Sequence, residues 1–237
     1  MNANSYKTKF RLRGGIGATI TLMLFSALIV PAQDLLPFKE MFARAQQQNA
    51  QALKQYSWKS RNEVKKNGES KSTQLFLMRY DADENVQKTQ IGGSKPPSMP
   101  KGPILARIAQ KKKEDFIETI NDLRTKVEAY SHLTPAKMQA FMAGATITPK
   151  PEQGRIRIQG ANVLQLQDSM TIWLDAKTRK QCRVEITTFL ERNLVKAVIE
   201  FNDLPAGPTH MARTVVDYPK DALQLITENF DYQRERR

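Results

Sequence analysis

Residues 169–189, SMTIWLDAKTRKQCRVEITTF, decide the fold of this chain. The segment predicts two short strands joined by the polar turn DAKTRK. In the second strand, Cys182, Val184 and Ile186 alternate with charged or polar residues, the period of a strand with one buried and one solvated face. We therefore expect these three side chains on the buried face. Trp173 lies between two aliphatic residues, so alternation does not fix its face.

The same alternation continues on both sides of this hairpin. It recurs from Gly154 onward in segments at 156–158, 164–166, 182–186, 195–201, 211–218 and 223–232. Short connections such as LERN and DLPAGP leave no room for a crossover, so consecutive strands must be antiparallel neighbours. The sequence therefore predicts an antiparallel meander with one dry and one solvated face.

Upstream of the meander, the apolar period is that of helices. Steps of three and four residues predict helices over 38–53, 111–130 and 135–143, the last opened by Thr134-Pro135. Asn67-Gly68 predicts a hairpin after the first helix, because both residues tolerate positive φ. A sheet with one dry face needs a cover. We therefore expect an α+β fold, a curved antiparallel β-sheet (half-barrel) with helices packed on its concave face.

Residues 1–32 are predicted to be a signal peptide, because a basic start precedes an uncharged apolar run. An N-terminal membrane anchor is the alternative, since the run at 14–32 is about long enough to cross a bilayer, which takes roughly 20 residues. Residues 33–237 then form a single domain. The protein is expected to be exported, and periplasmic if its source is a Gram-negative bacterium.

The chain is strongly basic, with a net charge of +13 from 37 basic and 24 acidic residues. Removal of residues 1–32 leaves 33 basic against 24 acidic residues, or +9. An exported protein seldom meets nucleic acid, so no nucleic-acid partner is expected, and an anionic membrane surface is the candidate partner. A solvated basic surface without a partner is the alternative. The single cysteine, Cys182, excludes an internal disulfide.

The sequence lacks recognisable catalytic and metal-binding motifs. His132 and His210 lie far apart, and neither has a Cys, Asp or Glu at metal-ligand spacing. The segment DADENV begins like a calcium loop, but its sixth residue is Val86 instead of the required glycine. Neither a G-x-S-x-G elbow nor an H-E-x-x-H motif occurs. We therefore expect a protein that is not an enzyme and that uses no cofactor or metal ion.

The apolar side chains of the sheet fit a ligand cavity as well as a core. A curved sheet covered by two or three helices often leaves space between the layers, and an apolar space there binds lipid chains. Burial in the core is the competing interpretation for each residue. The candidate cavity-lining residues are Trp58, Phe76, Met78, Trp173, Val184, Ile186, Ile199 and Phe201.

The order of elements resembles the outer-membrane lipoprotein-sorting (lipoprotein carrier) fold group. The residues that carry the resemblance are NVLQLQDSMTIWLDAKTRKQCRVEITT, LVKAVIEFNDLPAGPTHMARTVVDYP and ENFDY. They include a Trp-x-Asp step at 173–175 and a D-x-x-T turn at 175–178. The resemblance implies a half-barrel closed by helices around a hydrophobic cavity, with lipid or lipoprotein acyl chains as partners.

Two functional hypotheses remain open from the sequence. The first is an exported, non-catalytic carrier that holds a lipid, an acyl chain or a lipid-modified protein in an apolar cavity. The second is a structural or interaction protein of the cell envelope, filled by its own side chains, that docks on a membrane or a partner through its basic surface. The state of the space between sheet and helices distinguishes them.

Overall fold

The computed structural model describes residues 35–94, 103–205 and 207–235, which form one ten-stranded antiparallel sheet and three α-helices. The spatial order is β3-β2-β1-β10-β9-β8-β7-β6-β5-β4, so the first and last strands pair in the middle of the sheet. The predicted α+β half-barrel class is confirmed. The strands are β1 (Tyr56–Lys66), β2 (Glu69–Tyr80), β3 (Val86–Gly93), β4 (Thr146–Lys150), β5 (Arg155–Ala161), β6 (Ser169–Asp175), β7 (Gln181–Leu190), β8 (Asn193–Asp203), β9 (Thr209–Tyr218) and β10 (Leu223–Arg234).

The helices are α1 (Leu35–Leu53), α2 (Pro103–Ser131) and α3 (Pro135–Gly144). The Thr134 side chain accepts a hydrogen bond from the Lys137 amide at 3.3 Å, with proline in the first turn, as predicted for the start of α3. Within the described ranges, no helix is long and apolar enough to cross a bilayer. The predicted signal or anchor at 1–32 lies outside those ranges.

Two predicted turns take the conformation that their sequences favour. Asn67 and Gly68 both have positive φ, at 53° and 78°, and join β1 to β2. In the hairpin between β6 and β7, the amide and hydroxyl of Thr178 donate to Asp175 Oδ1 at 2.7 and 2.9 Å. These bonds lower the pKa of the Asp175 carboxyl, since they favour its charged form.

The helices cover one face of the sheet, the inner face, where β5 to β8 supply the core. Alternate residues of these strands point to that face, as strand geometry requires. Leu123 and Val127 of α2 are buried against them, and Phe141 of α3 packs over Gly160 of β5. The buried inner-face residues of these strands are Ile156, Ile158, Met170, Ile172, Leu174, Val184, Ile186, Val195, Ala197 and Ile199.

The inner face changes character at β1, β2 and β10. Ser60 and Asn62 of β1 are buried, and Asn62 accepts a hydrogen bond from the Thr227 hydroxyl at 3.0 Å. Asn229 pairs with Ser60 across the strands and donates to the Met211 carbonyl at 3.0 Å. Buried polar groups require such partners. We call this region the polar half of the inner face, and the inner face of β5 to β8 the filled half.

The structure corrects the predicted strand at Leu164 and Leu166. Residues 162–168 form a loop instead, with Leu166 82% exposed. Asp168, which is 1% exposed, organises the loop by accepting from the amides of residues 163, 164 and 165 and from the Tyr130 hydroxyl at 2.5 Å. An unpaired carboxylate is costly to bury, and the loop conformation supplies the amides that Asp168 needs. This requirement decides the conformation here, because the alternation of Leu164 and Leu166 covers only two apolar residues.

The structure also corrects the face predicted for Cys182. Trp173 pairs with Arg183 while Leu174 pairs with Gln181, so Cys182 is the extra residue of a β-bulge. The bulge shifts the alternation by one residue at this point. Cys182 is consequently half-buried beside Arg183 on the face that the helices leave uncovered, the outer face, while Val184 and Ile186 are in the core as predicted.

Candidate functional site

A cleft of about 340 Å³ opens between α1 and the edge of the inner face. Its first wall is one side of α1, because helix residues three and four apart share a face. Its second wall is the β6–β7 turn together with one residue each from β8 and β9. The lining residues are Met41, Phe42, Ala45, Gln46 and Asn49 of α1, the turn residues 178–181, Phe201 and Thr209.

Polar contacts attach α1 to the sheet beside the cleft. The Asn49 side chain accepts a hydrogen bond from the Thr209 amide and donates one to the Thr209 carbonyl, both at 2.7 Å. This side chain therefore bonds to the backbone of β9 as a neighbouring strand would. One turn earlier, the Gln46 amide donates to the Gln181 side-chain oxygen at 3.0 Å. These bonds hold α1 to the sheet at two points, one turn beyond the apolar side chains of Met41, Phe42 and Ala45.

The protein's own side chains leave part of the apolar surface of the cleft uncovered. Phe42 is buried in the core at 5% exposure, and Phe201 packs against the same core. Met41 is 53% exposed on the same helix. An exposed methionine next to a buried aromatic ring is a flexible, polarizable surface suited to an apolar ligand.

Charged side chains lie along the turn side of the cleft. Arg179 and Lys180 contribute two cations to its lining. The Lys180 ammonium forms an ion pair of 3.0 Å with Asp203, which also accepts from the Thr209 hydroxyl at 2.5 Å. Burial opposes the charge of Asp203, but these two partners outweigh it and lower the pKa of the carboxyl. The cleft therefore has an apolar floor and a cationic side.

An aromatic cluster lies on the strand ends next to the cleft. Trp58 stacks on Tyr232 with ring centroids 5.6 Å apart, and His210, which follows the cleft residue Thr209, lies 4.1 Å from the same tyrosine ring. Burial lowers the pKa of His210, against opposing effects of the Met211 backbone and of Asp203. His210 is consequently a neutral, buried imidazole in this cluster at neutral pH.

The predicted cavity-lining residues fall in four different places. Val184, Ile186 and Ile199 are core residues of the filled half, at 1–5% exposure. Trp58, Phe76 and Met78 lie together on β1 and β2 in the polar half, and only Phe201 borders the cleft. Trp173 pairs with Arg157 and Arg183 and so takes the outer face, away from the helices.

Sequence reasoning missed most of the cleft. Met41, Phe42, Ala45 and Asn49 were visible as one stripe of an amphipathic helix, which is equally typical of a helix that only covers a core. The sequence feature that could have indicated the cleft is Asn49, a polar residue within an otherwise apolar stripe of the helix. Within the described residues, no group of three or more His, Cys, Asp or Glu side chains could hold a metal ion.

No protein family model and no curated protein matches the chain. Solved structures do match. They include a DUF1329 family protein from Desulfovibrio piger, with 8% identity, a TM-score of 0.39 and coverage of 85% of this chain and 93% of that one. They also include a LolA superfamily protein from Nitrosomonas europaea, with 9% identity, a TM-score of 0.36 and coverage of 81% and 94%.

Both matches have TM-scores below 0.5 and identities below 10%, so neither supports a statement about the function of this chain.

Proposed function

We propose that this protein is an exported, non-catalytic carrier that binds one acyl chain of a lipid or of a lipid-modified protein in the cleft under α1. The observation that carries the proposal is the combination of an apolar floor with a cationic side in one opening of about 340 Å³. Small-molecule sites range over roughly 300–1,000 Å³, so this volume suits one chain.

The chemistry of the lining supports one orientation of the proposed ligand. The chain lies between Phe42 and Phe201, where Met41 covers it, because these are the apolar groups of the cleft. The anionic end lies at Arg179 and Lys180, which supply donors and positive charge. The side chains of the filled half stay fully packed in this proposal, because the ligand lies in the cleft and not among them.

Binding is tested with a labelled long-chain fatty acid and a cleft-filling substitution. Ala45 and Ala50 are both exposed alanines of α1, but only Ala45 lines the cleft. We expect Ala45→Trp to weaken binding at least about tenfold, equivalent to about 1.4 kcal/mol, since the indole occupies the ligand's place. Ala50→Trp, the matched control, keeps the parent affinity.

Two results would contradict the carrier proposal. One is a full-length protein, purified from its own cell envelope, that carries no extractable lipid and takes up no fatty acid. The other is equal weakening by Ala45→Trp and Ala50→Trp, which would mean that the probe binds somewhere other than the cleft. Thermal melting of each variant, compared with the parent, shows that the fold is retained.

A further inference from the structure

The outer face carries a row of charged residues that crosses most of the sheet. Cross-strand register aligns side chains from β5, β6, β7, β8, β9, β10 and β1 in one line, which we call the arginine ladder: Arg157, Trp173, Arg183, Glu200, Arg213, Glu228 and Arg61. Residues directly opposite on antiparallel strands have their Cβ atoms about 5 Å apart. No helix of the described chain covers this row.

A depression of about 390 Å³ opens beside the ladder on the same face. It lies between two β-bulges, one between β6 and β7 and one between β8 and β9. The extra residues of the bulges are Cys182 and Ala212, and both small side chains line the depression. The bulges therefore create the opening, because they insert two small residues between larger charged neighbours.

Three guanidinium groups surround the depression, from Arg155, Arg183 and Arg213. Arg183 pairs with Glu200 at 3.5 Å and with Glu185 at 2.8 Å, and Arg213 reaches Glu228 only at 3.6 Å. The backbone of Arg155 pairs within the sheet, but its guanidinium has no hydrogen bond or ion pair with the described residues.

Two further donors next to the depression are buried without partners. Arg157 Nε and Trp173 Nε1 are both inaccessible to solvent and have no acceptor among the described residues. Both belong to the ladder, and Trp173 is the direct strand neighbour of Arg183. Buried donors normally find an acceptor, and each one left unpaired costs free energy. This end of the ladder therefore has more donors than acceptors.

The lining of the depression holds three arginines and one carboxylate, Glu200, while Glu185 and Glu228 pair with Arg183 and Arg213 outside the lining. Arg155 is the arginine of the lining without a carboxylate partner among the described residues. Arginine forks match the paired oxygens of tetrahedral oxyanions, and phosphate offers several acceptors to several donors at once.

We propose that the depression at the two bulges binds a phosphate group, held by Arg155, Arg183 and Arg213, either as the headgroup of an anionic lipid or as free phosphate. This site lies on the face opposite the proposed acyl-chain cleft, because the ladder residues point away from the helices, and the two linings share one residue, Phe201. The two proposed sites are tested by different measurements.

Trp173 makes the site measurable. The chain has two tryptophans, so Trp58→Phe leaves Trp173 as the only indole, next to Arg183. In that background, inorganic pyrophosphate is titrated while the emission of Trp173 is recorded. We expect a saturable change. Arg155→Gln should weaken binding at least about tenfold, because it removes a charge-assisted, bidentate hydrogen-bond donor to the phosphate oxygens.

Arg192→Gln is the matched control, because it removes the same charge in the β7–β8 turn, outside the depression. It should leave pyrophosphate binding unchanged. Arg155→Lys keeps the charge and loses the fork, so we expect intermediate binding.

Vesicle sedimentation distinguishes the two sources of phosphate. Vesicles of phosphatidylcholine alone are compared with vesicles that also contain phosphatidylglycerol, with and without pyrophosphate. Arg155-dependent sedimentation with phosphatidylglycerol assigns a lipid headgroup, whereas pyrophosphate binding without sedimentation assigns free phosphate.

Three results would overturn the phosphate site. The first is binding of neither probe, the second is parent-like binding by Arg155→Gln, and the third is equal weakening by Arg192→Gln, which would indicate diffuse charge attraction. Fatty-acid uptake is unaffected by any of these results, so the acyl-chain proposal is tested independently.

Discussion

The two halves of the inner face are built on the same sheet but are stabilised differently. In the filled half, Leu174 and Ile158 are 0% exposed and contact the helices through apolar surface alone. In the polar half, Ser60 and Asn62 occupy the equivalent inward positions of β1, and hydrogen bonds join buried polar side chains there, next to apolar residues such as Val64. Apolar burial scales with area and tolerates no void, whereas a hydrogen bond contributes about 1 kcal/mol net.

The difference shows which part of the sheet defines the domain core. Strands β5 to β8 are held by side-chain packing under α2 and α3, whereas β2 and β3 are joined to the sheet mainly by strand pairing, through β1 to β10. Substitutions of equal size should therefore have unequal effects in the two halves.

The largest expected effect comes from a matched pair of phenylalanines. Phe141 and Phe76 are 6% and 7% exposed, but only Phe141 belongs to the core cluster, while the Lys88 ammonium lies 3.9 Å above the Phe76 ring. We expect Phe141→Ala to lower the free energy of unfolding by about 3–4 kcal/mol and Phe76→Ala by about half of that. Urea denaturation measures both, and equal losses would remove the distinction between the halves.

A smaller effect is expected where α3 touches the sheet. A Cβ added at Gly160 would lie 2.8 Å from Phe141 Cε2, so Gly160→Ala forces the ring or the helix to move. Overpacking of this kind costs about 1–3 kcal/mol.

Phe141→Leu should relieve that clash. In a double-mutant cycle measured by urea denaturation, Gly160→Ala should therefore cost less in the Phe141→Leu background than in the parent. Simple additivity of the two changes would show that α3 does not press on β5.

The smallest effect is expected outside both halves, in the loop at 162–168. Leu166→Ser should change the free energy of unfolding by less than about 0.5 kcal/mol, because the side chain is 82% exposed. Asp168→Asn in the same loop, measured alongside, should cost well over 1 kcal/mol, since the carboxylate accepts four hydrogen bonds there. Equal losses for these two substitutions would mean that the loop packs as a strand.

Alternation predicted the sheet well because a strand with one buried face carries an apolar side chain at every second residue. It identified the meander, the face of Val184 and Ile186, and the turn at Asn67-Gly68. It placed Cys182 on the wrong face, because a β-bulge inserts one residue and leaves no mark in the pattern. It gave no indication of β3 or β4, whose short or exposed sequences lack an apolar stripe.

The candidate sites were less predictable than the fold. The cleft depends on Asn49 reaching Thr209, residues 160 positions apart, and the outer-face depression depends on two bulges meeting across three strands. Both are consequences of register, which a single sequence does not contain.

The pairing of β1 with β10 determines when the chain can fold. Asn62 and Thr227 are 165 residues apart, yet they meet in the middle of the sheet. At translation rates of about 5–20 residues per second, β1 waits roughly 10–30 s for its partner. During that interval one edge of the first hairpin has no ladder, and loop closure over such a span is slow. The first hairpin therefore keeps one unpaired edge until the last strand of the sheet has been synthesised.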